Sequence, residues 1–231
     1  MMEAIILAGG RGTRLHSVVP DLPKPMAPVV GRPFLSYLLD FVIDNGINRI
    51  CLSTGYKAEA IEDYFGASIR GVPIVYAREE SPLGTGGAVR AALPCTSALD
   101  VFVLNGDSFA DVDLRAMFEL HKSGRERLTI ALTQVSECAR YGAVAFRNRH
   151  VERFSEKGLS GAGYINAGIY LLRRDLFDAL ALPHVFSFEQ QVLMDHLTDL
   201  RPGAFLSSGY FLDIGIPEDY VRAQQELPLQ R

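Results

Sequence analysis

The stretch "AIILAGGRGTRL", residues 4–15, sets the expected fold of the chain. An apolar run that leads directly into a glycine-rich turn is typical of the first strand of an α/β sheet and the loop that leaves it. Ligands of such sheets bind beyond the carboxyl ends of the strands. Glycines let backbone N–H groups converge on an anion, and Arg11 and Arg14 add positive charge. The stretch therefore predicts an anion-binding loop at the carboxyl edge of a sheet.

Two familiar phosphate loops do not fit this stretch. A Walker A loop requires Gly-Lys-Ser/Thr after a four-residue gap, and the sequence lacks it. The dinucleotide-binding fingerprint fails because Leu15 stands where its third glycine would be. A glycine-rich turn with two exposed arginines remains the alternative for the loop taken alone.

Short apolar strands alternate with amphipathic helices through the first half of the chain, which predicts a parallel sheet covered on both faces. The expected strands are 4–8, 49–53, 72–76 and 101–104, and the expected helices are 34–45, 58–65 and 87–93. Glycine follows the first two helices, at Gly46 and Gly66, where a left-handed stop is usual.

From about residue 127 short strands joined by tight turns predict an antiparallel or mixed extension of the sheet. The expected strands are 128–135, 143–146, 151–154, 164–172, 205–206 and 210–212, with helices at 176–180, 188–196 and from about 218. We expect a single domain over residues 1–231, with a nucleotide-binding half at 1–126 and an acceptor-binding half at 127–231.

The composition bounds the class of protein. The chain has 231 residues, 48% of them hydrophobic, and 23 basic against 27 acidic residues give a formal charge of −4. A general nucleic-acid or membrane-surface binder would show a basic excess. No apolar run approaches the length of a transmembrane helix, the amino terminus lacks a basic signal region, and the three cysteines lack metal or redox spacing. We expect a reduced, cytoplasmic protein that binds neither nucleic acid nor membrane.

Three charged residues stand out as candidates for phosphate and metal chemistry. Lys24 lies in "LPKPMAPV", residues 22–29, where three prolines stiffen the segment and suit a phosphate clamp. Asp107 follows the strand in "VFVLNGDSF", and Asp213 ends the strand in "FLDIGIPEDY". Two carboxylates that face a triphosphate would repel it unless a metal ion neutralised them. Mg²⁺, which takes one or two carboxylates plus phosphate oxygens, is therefore the expected cofactor. The alternatives are a solvated lysine and two turn aspartates.

Polar residues of the second half suit an acceptor substrate. Glu156 and Lys157 follow a strand as an acceptor-binding pair or, alternatively, as a charge pair at a hairpin end, and Asn166 and Glu189 offer groups for sugar hydroxyls. None of the five histidines is paired at ligand spacing, so all five are expected to be structural or surface residues.

The sequence Asp111-Val112-Asp113 offers a different enzyme class. A D-x-D pair is typical of metal-dependent glycosyltransferases, which release a nucleoside diphosphate and never pyrophosphate. Asp113, however, directly precedes the helical pattern 114–122, and aspartate is a favoured N-cap. The pattern favours the cap.

Together, "LAGGRGTRL", "LPKPMAPV", "PLGTGGA" (82–88), "LNGD", Glu156-Lys157, "NAGIYLL" (166–172) and "FLDIGIPEDY" resemble the sugar-1-phosphate nucleotidylyltransferase family. They occur in the order of the family and span residues 4 to about 220. The resemblance implies a Rossmann-like, mixed and mostly parallel sheet flanked by helices, of the nucleotide-diphospho-sugar transferase type. It implies joining of an NTP to a sugar 1-phosphate with release of pyrophosphate.

The resemblance also implies roles for individual residues. The catalytic residues would be Arg14, Lys24 and Asp107, and the metal ligands Asp107 and Asp213. The nucleotide would contact Leu7, Ala8, Gly9, Gly10, Gly12, Thr13, Arg14, Lys24, Glu79, Pro82, Gly84, Thr85, Asn105 and Gly106. The sugar phosphate would contact Gly142, Glu156, Lys157, Asn166 and Glu189.

Within the family, "KPMAPV", "PLGTGGA", "NAGIYLL", "FSFE" and "DIGIPEDY" are most similar to the D-glycero-α-D-manno-heptose 1-phosphate guanylyltransferases. GTP and that heptose 1-phosphate are the expected substrates, in nucleotide-sugar biosynthesis for a surface polysaccharide. Mannose-1-phosphate guanylyltransferase, a uridylyl- or thymidylyltransferase and a non-catalytic sugar-nucleotide sensor are the alternatives. The left-handed β-helix tail of many relatives is expected to be absent, which leaves a homodimer as the assembly to test.

Overall fold

A computed structural model describes residues 1–10, 12, 15, 19–155, 157, 158 and 160–229. The described strands are β1 (Met2–Leu7), β2 (Pro28–Val29), β3 (Arg32–Pro33), β4 (Ile47–Thr54), β5 (Ser68–Ile69), β6 (Val72–Arg78), β7 (Asp100–Asn105), β8 (Ser108–Ala110), β9 (Leu128–Val135), β10 (Val144–Arg147), β11 (His150–Phe154), β12 (Gly163–Arg173), β13 (Gly203–Ser207) and β14 (Phe211–Asp213).

The described α-helices are α1 (Phe34–Asp44), α2 (Ala58–Phe65), α3 (Gly84–Ala92), α4 (Leu114–Gly124), α5 (Leu197–Leu200) and α6 (Pro217–Glu226). Short 3₁₀ turns cover Lys24–Met26, Leu93–Cys95, Leu176–Ala179 and Leu227–Leu229, and a π-helix covers Phe188–Met194. In the part of the chain described here, no helix combines the length and the apolar character needed to cross a bilayer.

Ten strands form one sheet in the order β10-β11-β13-β9-β12-β7-β1-β4-β6-β5. The neighbours β7, β1, β4 and β6 run parallel, as the alternating pattern of the first half predicts. β12 pairs antiparallel with both β7 and β9, and β13 returns parallel to β9. The sheet is therefore mixed, with the predicted extension built onto β7, and it is flanked by helices.

Each face of the sheet carries its own apolar core. On one face α1, α2 and α4 pack through residues such as Leu38, Ile61 and Met117. On the other face α3 and the π-helix pack through Val89 and Val192. Alternate β1 residues supply both cores, because successive side chains of a strand point to opposite faces. A third cluster joins α6 and the β2–β3 hairpin to the β8–β14 ribbon.

Most element boundaries agree with the sequence expectations to within three residues. α1 and α2 end before Gly46 (φ +94°) and Gly66 (φ +60°), the predicted left-handed stops. A helix was expected at 188–196, and the structure gives its type and its end. Residues 188–194 form a π-helix, because the amide of Asp195 donates to the carbonyl of Gln190, five residues earlier. The short helix α5 follows it.

Candidate active site

The carboxyl ends of β1, β4, β6 and β7 open onto a cavity of about 620 Å³, which we call the first cavity. Its walls include most of the residues expected around a nucleotide: Leu7, Gly9, Gly10, Gly12, Lys24, Glu79, Pro82, Gly84, Thr85 and Asn105. Ala8 and Gly106 are buried beside this cavity and do not line it. Their amides bond to the carbonyls of Ser53 and Leu7, at 2.8 and 2.9 Å. The expected nucleotide residues Thr13 and Arg14 lie outside the described residues.

The glycines of the opening loop make room for two charged side chains. A Cβ on Gly9 would lie 2.9 Å from Oε1 of Glu79. A Cβ on Gly12 would lie 2.6 Å from the Cβ of Lys24, and Gly12 has a φ of +60°. Larger residues would push these side chains away from the cavity. Gly9 and Gly12 are thus needed for the space that Glu79 and Lys24 occupy, in addition to the predicted approach of backbone amides to an anion. The sequence alone did not reveal this need for space.

Lys24 is held where the proline pattern predicts a rigid cation. It begins the 3₁₀ turn between Pro23 and Pro25, and only 8% of its side chain is exposed. Its Nζ lies 2.6 Å from Oδ2 of Asp107 and 3.5 Å from Oδ1 of Asp213. A nearly buried ammonium group requires such partners, because desolvation without pairing is costly. The predicted clamp lysine and both predicted metal ligands therefore form one cluster.

The β8–β14 ribbon brings the two aspartates together. Asp213 pairs with Ser108 in this ribbon, and the amide of Ile214 donates to the carbonyl of Asp107 at 3.1 Å. Burial raises the pKa of the Asp213 carboxyl above its ordinary value; Lys24 opposes the shift and the charge of Asp107 adds to it. Two carboxylates this close favour a bound cation.

The donor set fits a hard divalent cation that keeps other ligands. Among the described residues no group of three or more His, Cys, Asp or Glu side chains could hold a metal ion by itself. A metal held by Asp107 and Asp213 would thus complete its shell with phosphate oxygens and water, the arrangement that Mg²⁺ prefers.

A second cavity of about 290 Å³ adjoins the first and shares Asn105, Asp107 and Glu189 with it. Of the residues expected to contact the sugar phosphate, it is lined by Gly142, Lys157, Asn166 and Glu189. Glu156 lies outside the described residues. The second cavity therefore collects the described acceptor candidates on the side of the aspartates that faces β12.

Five small residues lie in β12 or in the turn before it, and they divide into two groups. Ala167 and Gly168 line the second cavity, whereas Gly161, Ala162 and Gly163 do not. Gly161 and Ala162 are exposed in the turn before β12, so the chain reverses there away from the cavity wall. Of the five, only Ala167 and Gly168, in the bulge of β12, border the second cavity.

Tyr170 supports Asn166 and was missed by the sequence analysis. The amide of Asn166 donates to the Tyr170 hydroxyl at 2.8 Å, and its Oδ1 accepts from the amide of Gly168 at 3.0 Å. The tyrosine is 1% exposed, and this burial raises the pKa of its hydroxyl. Residues four apart on a strand share a face, so the pair could have been found from spacing. The irregular register of β12 between Asn166 and Tyr170 could not have been predicted from the sequence.

Glu79 sits at the rim of the first cavity and holds the loop that follows it. Its Oε2 accepts from the amide of Leu83 at 3.0 Å, while Oε1 lies beside Gly9. The carboxylate thus closes the turn that leads into α3 and still presents an oxygen to Gly9 of the opening loop.

The D-x-D pair does not form a metal site. Asp113 is the N-cap of α4, and its side chain accepts from the amide of Ala116 at 2.9 Å. Asp111 is exposed, and neither aspartate lines either cavity. The N-cap interpretation is confirmed.

Comparison with known proteins places this site in a family. The model of the nucleotidyl transferase family matches residues 3–229. The D-glycero-α-D-manno-heptose 1-phosphate guanylyltransferase of Aneurinibacillus thermoaerophilus is 48% identical over 226 residues, 98% of each chain. The enzyme of the same name from Campylobacter jejuni is 42% identical and covers 95% of this chain and 97% of its own.

Structural comparison agrees with the sequence matches. The crystal structure of HddC from Yersinia pseudotuberculosis complexed with GMP-PN has a TM-score of 0.86 and 37% identity. It covers 98% of this chain and 99% of HddC. The resemblance inferred from the motifs is confirmed, and the chain belongs to the nucleotidyl transferase family.

Proposed function

We propose that this chain transfers GMP from GTP to D-glycero-α-D-manno-heptose 1-phosphate, giving the GDP-heptose and pyrophosphate. The observation that carries the proposal is the 48% identity, over 98% of both chains, to an enzyme named for that reaction. The two adjoining cavities support it, because the reaction needs a nucleotide and a sugar phosphate to meet at one phosphorus atom.

In this proposal residues 1–126 bind the nucleotide and residues 127–231 bind the acceptor within one catalytic unit. Asp213 and Glu189 belong to the second part by sequence and line the second cavity, and Glu189 also lines the first. The phosphates of GTP would lie along Gly9, Gly10 and Gly12, and Thr13 and Arg14 are the further residues that we propose bind them.

The chemistry requires positioning and charge neutralisation more than proton transfer. A phosphate monoester has a second pKa near about 6, so the acceptor is largely a dianion at neutral pH. Its oxygen attacks the α-phosphorus of GTP in line, the bond to the β-phosphate oxygen breaks, and pyrophosphate leaves. Lys24 would stabilise the charge that develops between the two substrates, and Lys157 would bind the acceptor phosphate. No catalytic histidine is needed.

Mg²⁺ is the metal that we propose for Asp107 and Asp213. When bound, it would neutralise the phosphate charge that faces the two carboxylates. Lys24 bridges both aspartates in the described structure, so these residues already hold one positive charge at the place where a cation is needed.

Glu79 is our candidate for guanine recognition. The Watson–Crick edge of guanine offers two adjacent N–H donors that a carboxylate can accept together. Oε2 of Glu79 already accepts the amide of Leu83, so guanine would share that oxygen and take Oε1. Glu79→Gln should lower the preference for GTP over UTP in kcat/KM by about tenfold. A wild-type enzyme that prefers UTP or dTTP would contradict this role.

The substrate assignment is tested by pyrophosphate release with four NTPs and a panel of sugar 1-phosphates. We expect GTP with the heptose 1-phosphate to give the highest kcat/KM. Space for one additional carbon discriminates by only about 1–3 kcal/mol, so a strong preference over mannose 1-phosphate requires a polar partner for the additional hydroxyl. Equal values for the two sugars would keep the guanylyltransferase and remove the heptose assignment.

A further inference from the structure

The first turn of α3 is fastened to the segment 186–189, which lies 100 residues later in the chain. The amides of Gly86 and Gly87 donate to the carbonyl of Phe186 at 3.0 and 3.3 Å, and the amide of Phe186 donates to Leu83 at 3.0 Å. A Cβ on Gly86 would overlap the ring of Phe186. The glycines of "PLGTGGA" therefore allow close packing here, and these two amides of the helix start are already occupied.

Thr85 extends this contact to a charged side chain. Its hydroxyl donates to Oε2 of Glu189 at 2.7 Å and accepts from the amide of Phe188 at 2.8 Å. The hydroxyl of Ser187 donates to the same carboxylate oxygen at 3.0 Å. A hydroxyl group has a single proton to donate. Thr85 therefore directs its proton toward Glu189 and away from the base of a nucleotide.

Glu189 occupies the junction of the two cavities. It lies in the first turn of the π-helix and lines both cavities. Both described bonds use Oε2, and Oε1 has no hydrogen-bond donor among the described residues. Its charge contributes to the raised pKa of Tyr170, which lies in the wall of the second cavity. The carboxylate therefore has one oxygen fixed by two hydroxyls and a second oxygen available to an acceptor.

We infer that Thr85 is a positioning residue of the acceptor site, which holds Glu189 so that its second carboxylate oxygen accepts a hydroxyl of the sugar phosphate. This inference rests on the proposed function, because it requires that the second cavity bind a sugar phosphate. It assigns Thr85, the threonine of "PLGTGGA", to the binding site of the sugar phosphate and not to the binding site of the nucleotide base.

The inference separates the effects of Thr85 on the two substrates. Thr85→Val keeps the shape of the side chain and removes both hydrogen bonds. We expect it to raise the KM for the sugar 1-phosphate about tenfold or more and to leave the Kd for GTP, measured calorimetrically without acceptor, within about twofold. Thr85→Ser restores the hydroxyl and should bring the acceptor KM back to within about threefold of wild type.

Two further variants distinguish positioning from a general loss of structure. If Thr85 acts through Glu189, adding Thr85→Val to Glu189→Gln should change the acceptor KM by less than about twofold. Thr96→Val is the matched control. Thr96 is buried, and its hydroxyl donates to the carbonyl of Leu93 at 2.7 Å. Thr96 lines neither cavity. It is expected to lower the Tm without changing the acceptor KM.

The outcomes that overturn the inference are specific. A rise in the Kd for GTP with an unchanged acceptor KM would return Thr85 to the base site. Unchanged constants for both substrates, additive effects with Glu189→Gln, or no rescue by Thr85→Ser would each also overturn it. All assays, including the binding measurement written above for GTP, use the sugar 1-phosphate and the NTP with the highest wild-type turnover. An error in the heptose or guanine assignment would thus appear in the wild-type panel and not in this comparison.

Discussion

The Nζ of Lys24 lies 2.6 Å from Oδ2 of Asp107, although 83 residues separate them in the chain. The same nitrogen lies 3.5 Å from Oδ1 of Asp213, which is 189 residues away. One nearly buried cation thus bridges two carboxylates that would otherwise repel each other at the junction of the cavities. Removal of the Lys24 ammonium group or of either aspartate carboxylate should therefore lower turnover more than it disturbs the fold.

Lys24→Ala should lower kcat by on the order of 10² or more and change substrate binding less. The interaction with the reacting phosphates strengthens as charge develops, so its loss raises the barrier more than it weakens the ground state. Steady-state kinetics with both substrates varied gives kcat and each KM. A variant that changed only the KM for the sugar phosphate would move Lys24 to the acceptor side.

Asp107→Asn and Asp213→Asn should each lower kcat by on the order of 10² or more with the fold retained, because each removes a proposed metal ligand and keeps the side-chain shape. Activity is measured over a titration of Mg²⁺, and circular dichroism with thermal unfolding reports the fold. Near wild-type turnover of Asp107→Asn at ordinary Mg²⁺ concentrations would refute the metal assignment for that residue.

The local parts of this site could be predicted from sequence, and the contacts across the chain could not. Lys24 and Asp107 each follow local signals: a proline-stiffened segment and the end of an apolar strand. The approach of Asp213 to Asp107 depends on the β8–β14 pairing, which involves strands of three residues with little pattern of their own.

The π-helix shows the same limit for secondary structure. Its apolar positions Phe188, Val192 and Leu193 also suit an α-helix, so periodicity predicts a helix without its type. The bonds from Thr85 and Gly86 to residues 186–189 decide the local geometry, and these join segments that no short-range pattern relates.

His121 should make stability depend on pH below about 6.5. It is 2% exposed, its Nδ1 lies 2.8 Å from the Thr129 hydroxyl, and its Nε2 lies 3.5 Å from Oδ1 of Asp100. Burial lowers the pKa of the imidazole below its ordinary value, although Asp100 and Glu126 act in the opposite direction.

The sign follows from proton uptake by the two states. As the pH falls through about 6.5, the unfolded chain protonates this histidine and the folded chain does not, so the unfolded state binds more protons. The contribution of His121 to stability is present above that pH and is lost as the pH falls toward the pKa of the folded state, by less than about 1.4 kcal/mol per pH unit. Urea unfolding between pH 7.5 and 5 should show a steeper loss for wild type than for His121→Asn. Equal slopes would contradict the prediction.

Gly86→Ala should lower the stability of the protein, whereas Gly10→Ala should weaken GTP binding and leave stability unchanged. Gly86 is buried against Phe186, and a Cβ there would overlap its ring. Alanine improves helix propensity by about 1 kcal/mol, but overpacking a buried ring costs about 1–3 kcal/mol. Gly86→Ala should therefore lower the free energy of unfolding by up to about 2 kcal/mol, or the Tm by about 2–4 °C for each kcal/mol.

Gly10 is exposed in the wall of the first cavity, and a Cβ there would meet no atom within 4 Å. The methyl group would instead extend into the space proposed for the phosphates of GTP. We expect Gly10→Ala to keep the wild-type Tm to within about 1 °C and to raise the Kd for GTP about tenfold, which corresponds to about 1.4 kcal/mol. Thermal unfolding and calorimetric titration with GTP measure the two quantities on the same preparation. A Gly10→Ala variant that bound GTP as tightly as wild type would show that the triphosphate does not lie against this loop, and the proposed phosphate site would have to move toward Glu79 and Pro82.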